Sequence, residues 1–206
     1  MNEILTIAGA ATIGAALKWP AAGIKTWLLR KRALEPAESR AERWLLPLAM
    51  GGFGGLMGWR LGLSWALVYG LLLLLDCAVI AVVDARYRII PNDLILALLA
   101  VTAVFGGFRL ISFDLWSSLG GLAVCFVLFL LPCLFGKTIG AGDVKLAGAM
   151  GFCAGLMGSL YAVVIMGMLI LAFTLVERRT PFVLAVKSFV PMGPFIAAAL
   201  MAVQLF

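Results

Sequence analysis

Across residues 64–83 a single charged side chain, Asp76, interrupts an otherwise uncharged and mostly aliphatic run. At 1.5 Å per helical residue, a run of that length matches the hydrocarbon core of a bilayer. Similar runs recur along nearly the whole chain. Of its 206 residues, 64% are apolar and 13% charged, whereas a soluble domain is about half apolar and a quarter charged. There is too little polar surface to clothe a water-facing globule. A soluble protein is excluded, and the lipid bilayer is the expected solvent and partner of the fold. Because the runs are continuously apolar rather than alternating, they specify helices and not a barrel.

The expected fold is an all-α, polytopic membrane helix bundle of about eight transmembrane helices. The expected spans are residues 4–19, 44–60, 64–83, 93–108, 115–135, 144–158, 160–176 and 190–206. Residues 1–43 read as an N-terminal span plus a basic amphipathic segment, and residues 44–206 as a membrane-embedded core. The opening Met1-Asn2-Glu3 has no basic residue before its apolar stretch, so the first span is expected to be retained rather than cleaved.

Charge orients the bundle. With the N-terminus outside, fourteen of the sixteen basic residues lie on the cytoplasmic side, among them Lys18, Lys25, Arg86, Arg88, Lys137, Lys145, Arg178, Arg179 and Lys187. Only Arg60 and Arg109 fall outside. This is the positive-inside pattern, so the net charge of +6 reflects topology and no nucleic-acid partner is expected. Within 18–43, Trp19, Ile24, Trp27 and Leu28 alternate with Lys18, Lys25 and Arg30, as in an interfacial stretch. The run Glu35–Ser39 reads as an exposed turn. Cys77, Cys125, Cys133 and Cys153 sit in apolar runs without any C-x-x-C and read as packing thiols. The overlapping pairs Gly51/Gly55 and Gly54/Gly58, and the stripe Gly148, Gly151, Gly155, Gly158, read as sites of close helix packing.

The acidic residues carry the chemistry. An ionised carboxylate at the centre of a membrane helix costs about 2.5–3.5 kcal/mol even on insertion scales. Glu3, Glu35, Glu38, Glu42, Asp114 and Glu177 fall in loops or at ends, and Asp93 opens the fourth span, where a helix N-terminus favours an acid. Asp76, Asp84 and Asp143 remain. The charge-derived topology puts Asp84 and Asp143 at one depth on the cytoplasmic side, with Asp76 about 12 Å deeper. Two carboxyls sharing a water cannot both ionise cheaply. One stays protonated and polarises a carbonyl while the other activates water as a general base. Such hydrolysis needs no metal and no cofactor. Gly140 and Gly142 flank the turn before Asp143 and let an extended substrate strand approach the backbone. Lys145 is placed either to tune the ionised acid or to bind a substrate acid, or else to snorkel toward the interface.

Three patches resemble the type IV prepilin peptidase family, integral-membrane aspartyl proteases of the G-x-G-D class. They are Asp84-Ala-Arg-Tyr-Arg-Ile-Ile-Pro91-Asn92, Gly140-Ala-Gly142-Asp143-Val-Lys145-Leu146 and Pro191-Met-Gly193-Pro194-Phe195. Their order covers residues 64–206. The resemblance implies that Asp84 and Asp143 are the catalytic pair and that Gly140, Gly142, Lys145, Pro191, Gly193 and Pro194 face the substrate. It implies prepilin or pseudopilin substrates of pilus or secretion systems, cut after a glycine at the cytoplasmic face of the inner membrane. Many members also carry a cytoplasmic C-x-x-C domain that methylates the new N-terminus. Residues 18–43 hold no cysteine, so a short, peptidase-only form is expected. Asp76 matches no family position and reads as structural. It also keeps open the alternative of a proton- or ion-coupled transporter, whose carboxylates lie near mid-bilayer.

Overall fold

The computed structural model describes residues 2–36, 38–134, 140–177 and 191–205. Expectations for Ala37, Lys137, Arg178, Arg179, Lys187 and the start of the last span at 190 lie outside the described residues. Among those described, every regular element is helical: α1 (Asn2–Ala16), α2 (Lys18–Lys31), α3 (Arg40–Leu61), α4 (Trp65–Tyr87), α5 (Asn92–Gly107), α6 (Leu115–Leu134), α7 (Ala141–Glu177) and α8 (Gly193–Val203). Four stretches are long and apolar enough to cross a membrane: Glu3–Lys31, Trp65–Tyr87, Leu115–Leu134 and Ala141–Val176. The helices α5 and α8 are apolar but shorter.

Local chemistry sets the ends. Ser39 caps α3, accepting the Glu42 N–H while the Glu42 carboxylate accepts the Ser39 N–H, a reciprocal capping box. Gly62, at φ 61°, ends α3, and the Ser64 side chain accepts the Leu67 N–H to start α4. At the other end of α4, Arg88 adopts the left-handed conformation at φ 53°, and its N–H bonds the Asp84 carbonyl. Pro91 follows as the N-cap of α5, a position compatible with its fixed φ.

Glycine brings the helix pairs together. A Cβ at Gly54 or Gly58 would collide with Ala10 of α1, and one at Gly14 with the Met50 carbonyl. At the crossing of α6 and α7 the backbones touch: a Cβ on Gly121 would strike the Gly151 carbonyl, and one on Gly151 the Gly121 carbonyl. Gly151→Ala is therefore expected to destabilise the protein at the upper end of the roughly 1–3 kcal/mol typical of overpacking. Thermal unfolding in detergent measures it, and an unchanged midpoint would mean that the two helices separate at no cost.

Where two spans, 144–158 and 160–176, are expected, the structure has the one helix α7, kinked at Gly155. This is the position within α7 with non-helical dihedrals (φ 70°, ψ 178°). Ser117 of α6 compensates, its Oγ accepting the Leu156 N–H at 3.0 Å. Within the basic segment that reads as interfacial, two of the lysines turn to partners inside the protein. Lys25 is buried and paired with Glu42, while Lys18 donates to the Arg43 carbonyl at 2.9 Å. Trp19 and Trp27 remain exposed. The short helix α8 packs on both α4 and α7 and buries Ile196, Ala199 and Leu200. That placement joins the two halves of the site.

Candidate active site

Asp84 lies in the last turn of α4 and is only 5% exposed. Its Oδ2 accepts the N–H of Gly193 at 2.8 Å. Gly193 is the first residue of α8, so this N–H is one of the donors that a helix leaves unpaired at its start. A Cβ on Gly193 would sit 2.7 Å from Asp84 Oδ2. Glycine is needed here because the backbone, not a side chain, must reach the carboxylate.

Asp143 lies in the first turn of α7 and is half-buried. Its Oδ2 accepts the Gly140 N–H at 3.2 Å, and its own N–H bonds the Gly140 carbonyl at 3.0 Å. Both carboxylates therefore meet a helix N-terminus, Asp84 that of α8 and Asp143 that of its own helix α7, where backbone donors point at anionic groups. Asp143 feels the charge of Asp84, and Asp84 feels the charge of Arg88. The two carboxylates of the sequence reading are thus electrostatic neighbours at one end of the bundle. The carboxylate of Asp76, two helical turns away on α4, has one buried oxygen without a hydrogen-bond partner among the described residues.

The other expected positions are placed as follows. Gly142 admits Ile90, whose Cβ would lie 3.3 Å from a Cβ there, so the α4–α5 connector packs on the start of α7. Pro191 and Pro194 flank Gly193 at the start of α8. Lys145 is exposed and lines a groove of about 420 Å³ with Asn92, Ile95, Leu99 and Phe126, between α5, α6 and α7. Two contributors escape the sequence reading: Arg88, as the charge beside Asp84, and Ile90, as the wedge against Gly142. Pro91 signals that a helix cannot run through this connector, but nothing local announces the left-handed turn at Arg88.

A model of the type IV leader peptidase family matches residues 71–175, just over half of the chain and inclusive of both aspartates. Over 168 residues the chain is 29% identical to the prepilin leader peptidase/N-methyltransferase of Pseudomonas aeruginosa, covering 75% of this chain and 55% of that protein. It therefore spans about half the length of this curated relative. No solved structure matches. The match runs through the same two aspartates that the helices bring together, and the chain belongs to the type IV leader peptidase family.

Proposed function

We propose that this chain is a membrane aspartyl endopeptidase that removes the leader peptide of prepilin-like or pseudopilin substrates. The observation that carries the reading is the pairing of Asp84 and Asp143 at two helix N-termini. In this reading the protonated aspartate donates a hydrogen bond to the scissile carbonyl oxygen. The ionised one takes a proton from water, whose oxygen attacks the carbonyl carbon. The tetrahedral intermediate then collapses, the C–N bond breaks, and a proton passes to the departing amine. One proton is taken and one returned, so the pair is restored for the next cycle.

The positive-inside count supports a cytoplasmic-facing site in an inner membrane crossed by about eight segments, with residues 44–206 as the peptidase core. Gly140 leaves its side of the approach to Asp143 free of a side chain, while the space at Gly142 is taken by Ile90. Pro191, Gly193 and Pro194 form the wall on the Asp84 side. Lys145 stands at the groove between α5, α6 and α7, along which an apolar substrate helix would lie. Methyl transfer lies outside the proposal, since residues 18–43 hold no cysteine.

The test is to incubate the purified protein with a panel of prepilin peptides and locate any cut by mass spectrometry. A single cleavage after the glycine that ends the basic leader is expected. Cuts scattered within the apolar segment, or none on any peptide, would remove the assignment.

A further inference from the structure

The surroundings of the two aspartates are unequal. Asp84 Oδ2 accepts the Gly193 N–H at 2.8 Å, at the positive end of α8, and the carboxylate also feels the charge of Arg88. Asp143 accepts the Gly140 N–H at the longer distance of 3.2 Å, and the charge it feels is that of Asp84. A negative charge is therefore better held on Asp84 and a proton on Asp143.

The other charges at this end are engaged elsewhere. Helices α2, α3, α5 and α8 pack on α4, and α8 carries no charged side chain. Among the described residues, Lys25 of α2 pairs with Glu42 of α3, and Lys31 of α2 with Asp93 of α5. Arg86 lies 6.0 Å from the Tyr87 ring centre, the Tyr87 hydroxyl donates to the Glu35 carbonyl, and Lys145 of α7 opens on the groove. Asp76 is two turns deeper on α4.

We infer that Asp84 is the ionised member that activates water, that Asp143 carries the proton offered to the scissile carbonyl, and that Arg88 is the positioning residue that fixes this order. The inference deepens the peptidase reading and rests on it. Asp84 takes a proton from water and passes it to the departing amine, while Asp143 keeps its own.

The backbone at Arg88 supplies a clean variant. Arg88 ends α4 in the left-handed region, φ 53° and ψ 40°, with its N–H bonded to the Asp84 carbonyl at 2.9 Å. That conformation crowds a Cβ and suits glycine. Arg88→Gly thus removes the charge, keeps the N–H and relaxes the chain. Arg109, at φ 55° beyond the far end of α5, is the control.

The probe is dicyclohexylcarbodiimide, added to the full chain in detergent at neutral pH. A protonated carboxyl adds across it, proton to nitrogen and oxygen to the central carbon, and the adduct rearranges to a stable N-acylurea with nothing released. Mass spectrometry gives the ratio of adducts on Asp84 to those on Asp143. In the parent the adducts are expected chiefly on Asp143. Arg88→Gln and Arg88→Gly should each raise the ratio by roughly three- to tenfold, the loss of one nearby but partly solvated charge. Arg88→Lys should leave it as in the parent, and so should Arg109→Gly. Arg88→Gly should melt no lower than the parent, which separates the change from unfolding. On prepilin peptides, Arg88→Gln and Arg88→Gly should move the acidic limb of kcat/KM to higher pH by about half to one unit. If the parent cuts no peptide, the peptidase reading falls, while the adduct ratio still decides which aspartate holds the proton. Parent adducts chiefly on Asp84, or a ratio unchanged in both Arg88→Gln and Arg88→Gly, would overturn the inference.

Discussion

Asparagine in place of either Asp84 or Asp143 is expected to abolish the proposed leader removal, while the protein still inserts and folds. The expected loss is at least the roughly 10²–10⁴-fold that a general acid or base contributes. It is expected to be nearly as large for either single variant as for the double, because the two groups act as one unit. Asparagine is the informative replacement. Its carbonyl oxygen still accepts the N–H of Gly193 at residue 84, or of Gly140 at residue 143, so the local helix starts are preserved. Only the capacity to hold and release a proton is lost. Gel analysis of prepilin processing, alongside a melting curve for each variant, separates chemistry from folding. Residual cleavage near the parent rate in either variant would show that the pair is not the catalytic centre.

Gly193→Ala is the second expected large effect, and it acts without touching an ionisable group. The added methyl would lie 2.7 Å from Asp84 Oδ2 and 2.8 Å from its Cβ, inside van der Waals contact. Either Asp84 must turn away or α8 must retreat. Displacing a reacting group by about 1 Å can cost on the order of 10²-fold, and overpacking adds roughly 1–3 kcal/mol of destabilisation. Valine should be worse than alanine. The backbone N–H survives both substitutions, so the loss reports crowding and not a missing donor. The measurement is the peptide cleavage rate at matched folded fraction. Full activity in Gly193→Ala would mean that α8 does not seat the aspartate.

The two aspartates could be found in the sequence because a charge in a membrane helix is expensive, and because basic residues fix the depth of each loop. Their partners could not. The bond between Gly193 and Asp84 joins residues 109 apart, and no periodicity in either segment points at the other. A similar limit applies to α7. Four glycines share one stripe there, and which of them breaks the helix depends on Ser117 arriving from α6 to take the freed N–H. The stripe announced close packing, and Gly151 against Gly121 supplies it. Lys25 shows the opposite case. It reads as an interfacial charge until α3 brings Glu42 beside it. Local pattern reveals which groups are costly to bury, whereas the group that offsets each cost is a property of the whole bundle.

The crossing of Gly121 and Gly151 has a mechanical consequence. Where two backbones meet with no side chains between them, there are no rotamers to shuffle and no interlocking knobs to slip from one hole to the next. Helices α6 and α7 are thereby welded into a single plank, with Asp143 carried at its tip. If a peptide is to reach the two acids as proposed, the breathing that admits it is expected from the opposite half, through α4 and the stub of α8 tilting away from that plank and settling back.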